Sequence, residues 1–246
     1  GVLLIMIRKA CLIFNPVSGQ GDPDRDLEII KTILSSQFDL DIQFTSAELD
    51  AGELAQEAVK RGVEVLLAAG GDGTLSAVAE AAVETIIPVG AIPRGTANAF
   101  AAALGLPSTV EEACQMIKNG NIRKVDAGKC NGKSMVLLSE IGFGAEAIEN
   151  ASRESKNRWG MLAYILSGIQ QLRDLKTFAV EIEVEDKIVH LPEVNSVTVA
   201  NVAPPTSILA QGPAGIIGDD GLLDVTIIAV EKWTEAIDAS YHLLQS

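Results

Sequence analysis

The chain has 246 residues, of which 48% are apolar and 21% charged. That is the make-up of one large or two modest packed domains and not of a disordered chain. Its formal net charge of −14 is spread over both halves, which disfavours nucleic acid as a partner, because binding to a phosphate backbone is driven by Lys and Arg; it also disfavours broad adsorption to anionic lipid. Three distant cysteines (Cys11, Cys114 and Cys130) form no CxxC pair, so a reducing, cytoplasmic setting is expected, with neither a disulfide framework nor a zinc knuckle. The only histidines, His190 and His242, leave little basis for a His-ligated metal or a Ser-His-Asp triad. The apolar start, Gly1 to Ile7, is too short for a membrane span and lacks the leading positive region of a signal peptide.

In chain order, residues 10–14 read as a short buried strand, followed by a turn at Asn15-Pro16-Val17-Ser18-Gly19. Residues 24–37 carry apolar positions at helical spacing, 40–45 read as a second strand, and 50–61 as a helix capped by Asp50. Val63 to Ala69 is a continuous apolar run, the signature of a parallel strand covered on both faces. Gly70-Gly71-Asp72-Gly73 turns this strand into a helix from about Thr74 to Val83; a fourth strand spans Ile86 to Ile92, and helices follow near 96–103 and 109–118. Strands alternating with helices on short connections predict a doubly wound, parallel α/β layer.

The pattern changes near residue 122. Residues 122–144 read as a β-hairpin turning at Asn131-Gly132, 145–174 as a helix-rich insert, and 177–230 alternate with period two at Phe178, Val180, Ile182 and Val184 and again at Val197, Val199, Leu223, Val225 and Ile227. The expectation is an N-terminal α/β domain over 1–122 and a C-terminal antiparallel, sandwich-like domain over 123–246.

The sharpest chemical feature is Gly70-Gly71-Asp72-Gly73-Thr74 at the C-terminal end of a parallel strand, the edge where open α/β sheets bind ligands. Glycines let backbone approach a ligand closely, and the next helix directs free N–H groups and its positive dipole end to the same place, which suits phosphate. A carboxylate there opposes phosphate unless a cation such as Mg²⁺ lies between them; the plain alternative is a tight turn in which Gly-Asp-Gly acts only sterically. Neither a Walker A motif nor a complete G-x-G-x-x-G occurs. Two further loops should open on the same edge: one carries Asn15, Ser18 and Gly19, the other runs from Pro93 through Arg94, Gly95, Thr96 and Ala97 to Asn98. Thr45, ending the second strand, could add a hydroxyl.

Asn15-Pro-Val-Ser-Gly19, Gly70-Gly-Asp-Gly-Thr74, Ile92-Pro-Arg-Gly-Thr-Ala-Asn98 and Gly218-Asp-Asp-Gly-Leu-Leu-Asp224 resemble, in order and spacing, the motifs of the diacylglycerol kinase catalytic-domain family. The likeness extends over nearly the whole chain, is nearest to soluble bacterial lipid kinases, and includes sphingosine kinases as relatives. The central motif also occurs in NAD kinases; the first and third loops separate the two families. The resemblance implies a nucleotide domain followed by a β-rich substrate domain. ATP would be held by Thr45, the stretch Gly70, Gly71, Asp72, Gly73, Thr74, Leu75 and Ser76, and Thr96, with Asp72 as the central acidic residue beside Mg²⁺ and the transferred phosphoryl group. It also implies a structural metal on the Asp220 side chain and the backbone carbonyls of Ile217 and Leu222, an all-oxygen set that suits a hard cation. Read from its residues alone, Asp219-Asp220-Gly221 is a hairpin turn.

Departures from the family pattern stand at Ser76 and Ala77, where such kinases often have Asn-Glu, and at Ala99, where an Asp often follows the Asn. The Asp-Gly-Glu segment that carries the family's general base is expected beyond the strand near Val230 and does not occur up to Ser246, so the chain reads as a C-terminally shortened kinase or one lacking that base. The reading favoured is an ATP- and Mg²⁺-dependent kinase of a diacylglycerol-like or sphingoid lipid. An NAD kinase-like enzyme and a catalytically silent nucleotide- or lipid-binding regulator are the alternatives. Arg153, Lys156, Arg158 and Trp159 ahead of Met161 to Leu166 suggest peripheral membrane contact, against the simpler reading of a packed helix with a basic end. A homodimer is left open.

Overall fold

The computed structural model describes residues 7–19, 21–142, 177–205, 207 and 216–229. The expected insert at 145–174 and its basic, aromatic segment lie outside the described residues. Contacts divide the chain into two compact units: Gly1–Leu137 with Asn201–Pro205 and Ile217–Leu222, and Leu138–Ala200 with Thr206–Ile216 and Leu223–Ser246.

The first unit holds a four-stranded parallel sheet built from β1 (Arg8–Phe14), β2 (Phe38–Phe44), β3 (Val65–Gly70) and β4 (Val89–Pro93), in the order β2-β1-β3-β4. Helices α1 (Pro23–Leu34), α2 (Ala51–Lys60), α3 (Asp72–Ala82), α4 (Ala99–Ala103) and α5 (Val110–Asn119) alternate with the strands or follow them. Pleating sorts β1 and β3 onto two cores. Ala10, Leu12, Phe14, Val65, Leu67 and Ala69 pack with Ile30 and Leu34 of α1 and with Val110, Ala113 and Cys114 of α5. Cys11, Ile13, Leu66 and Ala68 face the other way, against Ala51, Ala55 and Ala58 of α2, Leu75 and Val78 of α3, and Phe100 of α4. All six residues of β3 are buried, as its continuous apolar run requires. The expected doubly wound layer is therefore present.

Local chemistry sets the helix starts. The Asp22 carboxylate accepts from the N–H groups of Asp24 and Arg25, with Pro23 as the first helical residue; Asp50 accepts from Glu53 N–H and Thr109 from Glu112 N–H. Several boundaries shift by two or three residues from expectation, and two of them bear on the site. α3 begins at Asp72, which places that carboxylate within the first turn. β4 begins only at Val89, because the chain turns through left-handed Glu84 (φ +64°), leaving Ile86 fully exposed.

The expected 122–144 hairpin is shorter in the structure. β5 (Gly128–Cys130) and β6 (Lys133–Met135) pair across Asn131-Gly132, both at positive φ as a tight primed turn requires. The next strand, β7 (Leu138–Gly142), belongs to the second unit, whereas residues 123–137 pack with the first.

In the second unit, β8 (Phe178–Val184) and β9 (Lys187–Val194) form an antiparallel hairpin, while β10 (Ser196–Ala200) runs antiparallel to both β7 and β11 (Asp224–Ile228). The antiparallel second half is thus confirmed. On one face of the three-stranded sheet the Thr198 hydroxyl donates to the Glu140 carboxylate at 3.2 Å, and burial raises that carboxyl above its usual range. Among the described residues, no helix is long and apolar enough to cross a membrane.

Candidate functional site

From β1 the chain crosses to β2 on one side, and from β3 it crosses to β4 on the other. The loops after β1 and β3 therefore part at the C-terminal edge of adjacent strands, which is the switch point of the sheet. The loop after β4 lies against them, and three hydrogen bonds join the group. Asn15 N–H donates to Ala69 C=O at 2.8 Å, Arg94 N–H to Gly70 C=O at 2.8 Å, and Thr45 N–H to Phe14 C=O at 3.0 Å.

Side chains complete the assembly. The Asn15 amide donates to the Thr74 hydroxyl at 3.1 Å, while its own oxygen accepts Val17 N–H at 3.1 Å. The Ser18 hydroxyl accepts Gly71 N–H at 3.0 Å. Gly19 sits at φ +78° with its α-carbon so close to the Arg94 carbonyl that a Cβ would lie 1.9 Å from the oxygen. A Cβ on Gly95 would lie 3.0 Å from the Gly71 Cα and 3.1 Å from Asn98 Oδ1, so the second and third loops touch backbone to backbone.

The helix start itself is open. α3 is N-capped by Gly71 with no side-chain cap, and its first backbone bond runs from Leu75 N–H to Gly71 C=O. The amides of Asp72, Gly73 and Thr74 thus precede the helical ladder and carry its positive end. Gly73 is exposed and has nothing within 4 Å of where a Cβ would be, whereas a Cβ on Gly70 would strike Thr74 at 2.6 Å. Of the two glycines, Gly70 serves packing and Gly73 leaves a surface free. Asn98 adopts a left-handed conformation (φ +50°), and its Oδ1 is buried without a hydrogen-bond partner among the described residues. An uncapped helix start, open backbone and an orphaned oxygen fit a phosphate-bearing ligand with a counter-cation.

Asp72 is more occupied than sequence suggests. Its Oδ1 accepts Phe100 N–H at 2.8 Å, so it caps α4 from outside. Leu75 is fully buried in the core and offers the site only helix geometry; Ser76 and Thr45 are partly buried, and Thr96 is exposed.

The profile of the diacylglycerol kinase catalytic domain matches residues 9–130, which include all three loops. A probable YegS-like lipid kinase of Pseudomonas fluorescens is 30% identical over 90% of this chain and 73% of its own length. The chain belongs to the diacylglycerol kinase catalytic-domain family. A diacylglycerol kinase of Bacillus subtilis is 32% identical over 74% of the chain and 61% of its own length, and an uncharacterized protein of Synechocystis is 45% identical over 99% and 59%. A solved diacylglycerol kinase from Bacillus anthracis superposes with a TM-score of 0.74 at 28% identity, covering 96% of this chain and 78% of that one. The chain spans about three fifths of the length of the Synechocystis and Bacillus subtilis relatives.

Away from these three loops, the Asp220 turn closes on Asp126. Gly221, at φ +77°, donates its N–H to Asp126 Oδ2 at 2.6 Å; Asp220 Oδ1 accepts Leu222 N–H at 3.0 Å; and Asp126 N–H donates to Gly218 C=O at 2.8 Å. Fully buried Asn201 donates to the carbonyls of Asp126 and Val136, joining the same segments. Among the described residues no three His, Cys, Asp or Glu side chains gather as a metal cluster, so a cation at this turn would rest on backbone carbonyls beside Asp220.

In the sequence Arg94 stands only as a member of the 93–98 loop, and nothing there marks Asp26, Asp126 or Asn201.

Proposed function

We propose that this chain carries the nucleotide site of an ATP- and Mg²⁺-dependent lipid kinase that transfers the γ-phosphoryl group to a hydroxyl of a diacylglycerol-like or sphingoid lipid. The observation that carries this reading is the meeting of three loops around the uncapped start of α3. Backbone amides of residues 72–74 bind the phosphates, and the Gly71–Gly95 approach lets them lie close to backbone on both sides. Ser18 and Asn15 hold the loop in shape through Gly71 and Thr74. Thr45 and Thr96 are the hydroxyls we assign to the nucleotide. Asp72 keeps one carboxylate oxygen on Phe100 N–H and has the other for the cation side of the site. Mg²⁺, when bound, neutralises charge on the phosphates during transfer.

A second cation is proposed at the Asp220 turn, with the Ile217 and Leu222 carbonyls, in a structural role. The setting we propose is cytoplasmic with transient membrane contact, since a diacyl lipid does not leave a bilayer unaided.

The test supplies the full-length protein with γ-labelled ATP and Mg²⁺, with diacylglycerol or sphingosine in mixed micelles, and with NAD as the competing acceptor. Label in lipid and none in NAD is expected. Label in NAD selects the soluble-acceptor reading, and tight Mg-ATP binding with no transfer selects a silent binding protein.

A further inference from the structure

Arg94 is the one charged side chain in the phosphate loops that a ligand cannot reach. The residue is 7% exposed and its side chain 1%. Its Nε donates to Asp26 Oδ2 at 2.8 Å, in the first turn of α1. Its Nη1 donates to the Asn15 carbonyl, and the guanidinium lies 4.4 Å above the Phe14 ring. Its own N–H is bound to Gly70 C=O, and its own carbonyl abuts Gly19. One residue therefore touches the ends of β1 and β3, the 15–19 loop and α1.

Stability explains this arrangement poorly. Buried ion pairs often contribute little net stability, and here Nη2 is buried with no hydrogen-bond partner among the described residues. What the arrangement does provide is geometry, because a planar guanidinium fixes two acceptors and a ring in one orientation. The Asn15 carbonyl it holds belongs to the residue whose side chain grips Thr74 in the first turn of α3.

We propose that Arg94 is a positioning residue of the nucleotide site, with Asp26 as its anchor: it sets the spacing of the three phosphate loops without touching phosphate. This rests on the nucleotide reading above. Asp26 lies in α1 and is joined to the site only through Arg94 among the hydrogen bonds described for it, so its effect on the ligand must pass through that guanidinium.

The test is a double-mutant cycle on the whole chain: Arg94→Gln, Asp26→Ala and the pair, with Arg94→Lys alongside. Mg-ATP affinity is measured by calorimetry at a temperature where circular dichroism shows each variant folded. Arg94→Gln is expected to weaken Mg-ATP at least tenfold, Asp26→Ala, which leaves Nε no acceptor, by a similar factor, and the double variant no more than twofold beyond Arg94→Gln. Arg94→Lys should not rescue, because a point-like ammonium lacks the planar fork that holds Asp26, the Asn15 carbonyl and the Phe14 ring in one orientation. Parent-like affinity in Asp26→Ala with loss in Arg94→Gln would mean direct phosphate contact and overturn the proposal. Parent-like affinity in both, with lowered melting temperatures, would reduce the pair to a structural role and also overturn it. If Arg94→Gln does not fold, Asp26→Ala and Arg94→Lys decide by the same criteria. Absence of Mg-ATP binding by the parent chain would instead overturn the nucleotide reading itself.

Discussion

Gly73→Ala should move stability and ligand affinity in opposite directions. Gly73 is the second residue of α3, is exposed, has ordinary negative φ, and has open space where a Cβ would be. In such a place alanine lowers the entropy of the unfolded chain and stabilises the fold by roughly 0.5–1 kcal/mol. For a chain of this size that raises the melting temperature by about 1–4 °C. The same methyl stands where phosphate must approach the first-turn amides, and a tenfold loss of Mg-ATP affinity, about 1.4 kcal/mol, is the expected minimum. The two effects can be read in one experiment. Ligand at 100 times the parent's Kd stabilises by about 2.7 kcal/mol; after a tenfold loss the same concentration gives about 1.4 kcal/mol, so the ligand-induced shift in melting temperature falls by half. Thermal melts with and without Mg-ATP, with calorimetry alongside, make the measurement. A variant that is more stable and still binds with parent affinity would refute phosphate binding at the start of α3.

Asp72→Asn keeps an acceptor for Phe100 N–H and should leave stability nearly unchanged, while Asp72→Ala removes the cap of α4 and should cost about 1 kcal/mol; both should lose Mg²⁺-dependent nucleotide binding, as denaturant melts and calorimetry would show. Gly19→Ala forces a Cβ onto the Arg94 carbonyl from a left-handed backbone, so a loss of about 1–3 kcal/mol and weakened Mg-ATP binding are expected; an unchanged denaturation midpoint would contradict the close approach. Burial raises the Glu140 carboxyl above its ordinary value of 4.5, so the folded state holds that proton more tightly than the unfolded state does. Stability from this group is therefore highest below the unfolded value and falls as pH rises through the folded one. Glu140→Gln should remove that decline and raise the melting temperature at pH 7 relative to the parent, and a steeper decline in the variant would reverse the assignment.

The parallel layer was legible in the sequence because its signals are local. The six buried residues of β3 form an unbroken apolar run, Asp50 stands where a helix cap must, and Asn131-Gly132 supplies the two positive φ angles of a primed turn. The three loops were legible for the same reason, since glycine, small polar residues and strand ends are marked one segment at a time. The hairpin expected over 122–144 is shorter in the structure, because the Asn131-Gly132 turn marks where a hairpin folds back but not how far its strands run; only tertiary contacts separate β5–β6 from β7, which pairs with β10. The same limit governs the site. Asp72 reads as a free carboxylate until folding brings Phe100 N–H, 28 residues away, to 2.8 Å, and Arg94 reads only as one residue of its loop until Asp26, 68 residues away, meets it. Residue type and spacing therefore determined the layer and the loops at its C-terminal edge. The partner of each charged group was decided by which distant segments the packed sheet brings together.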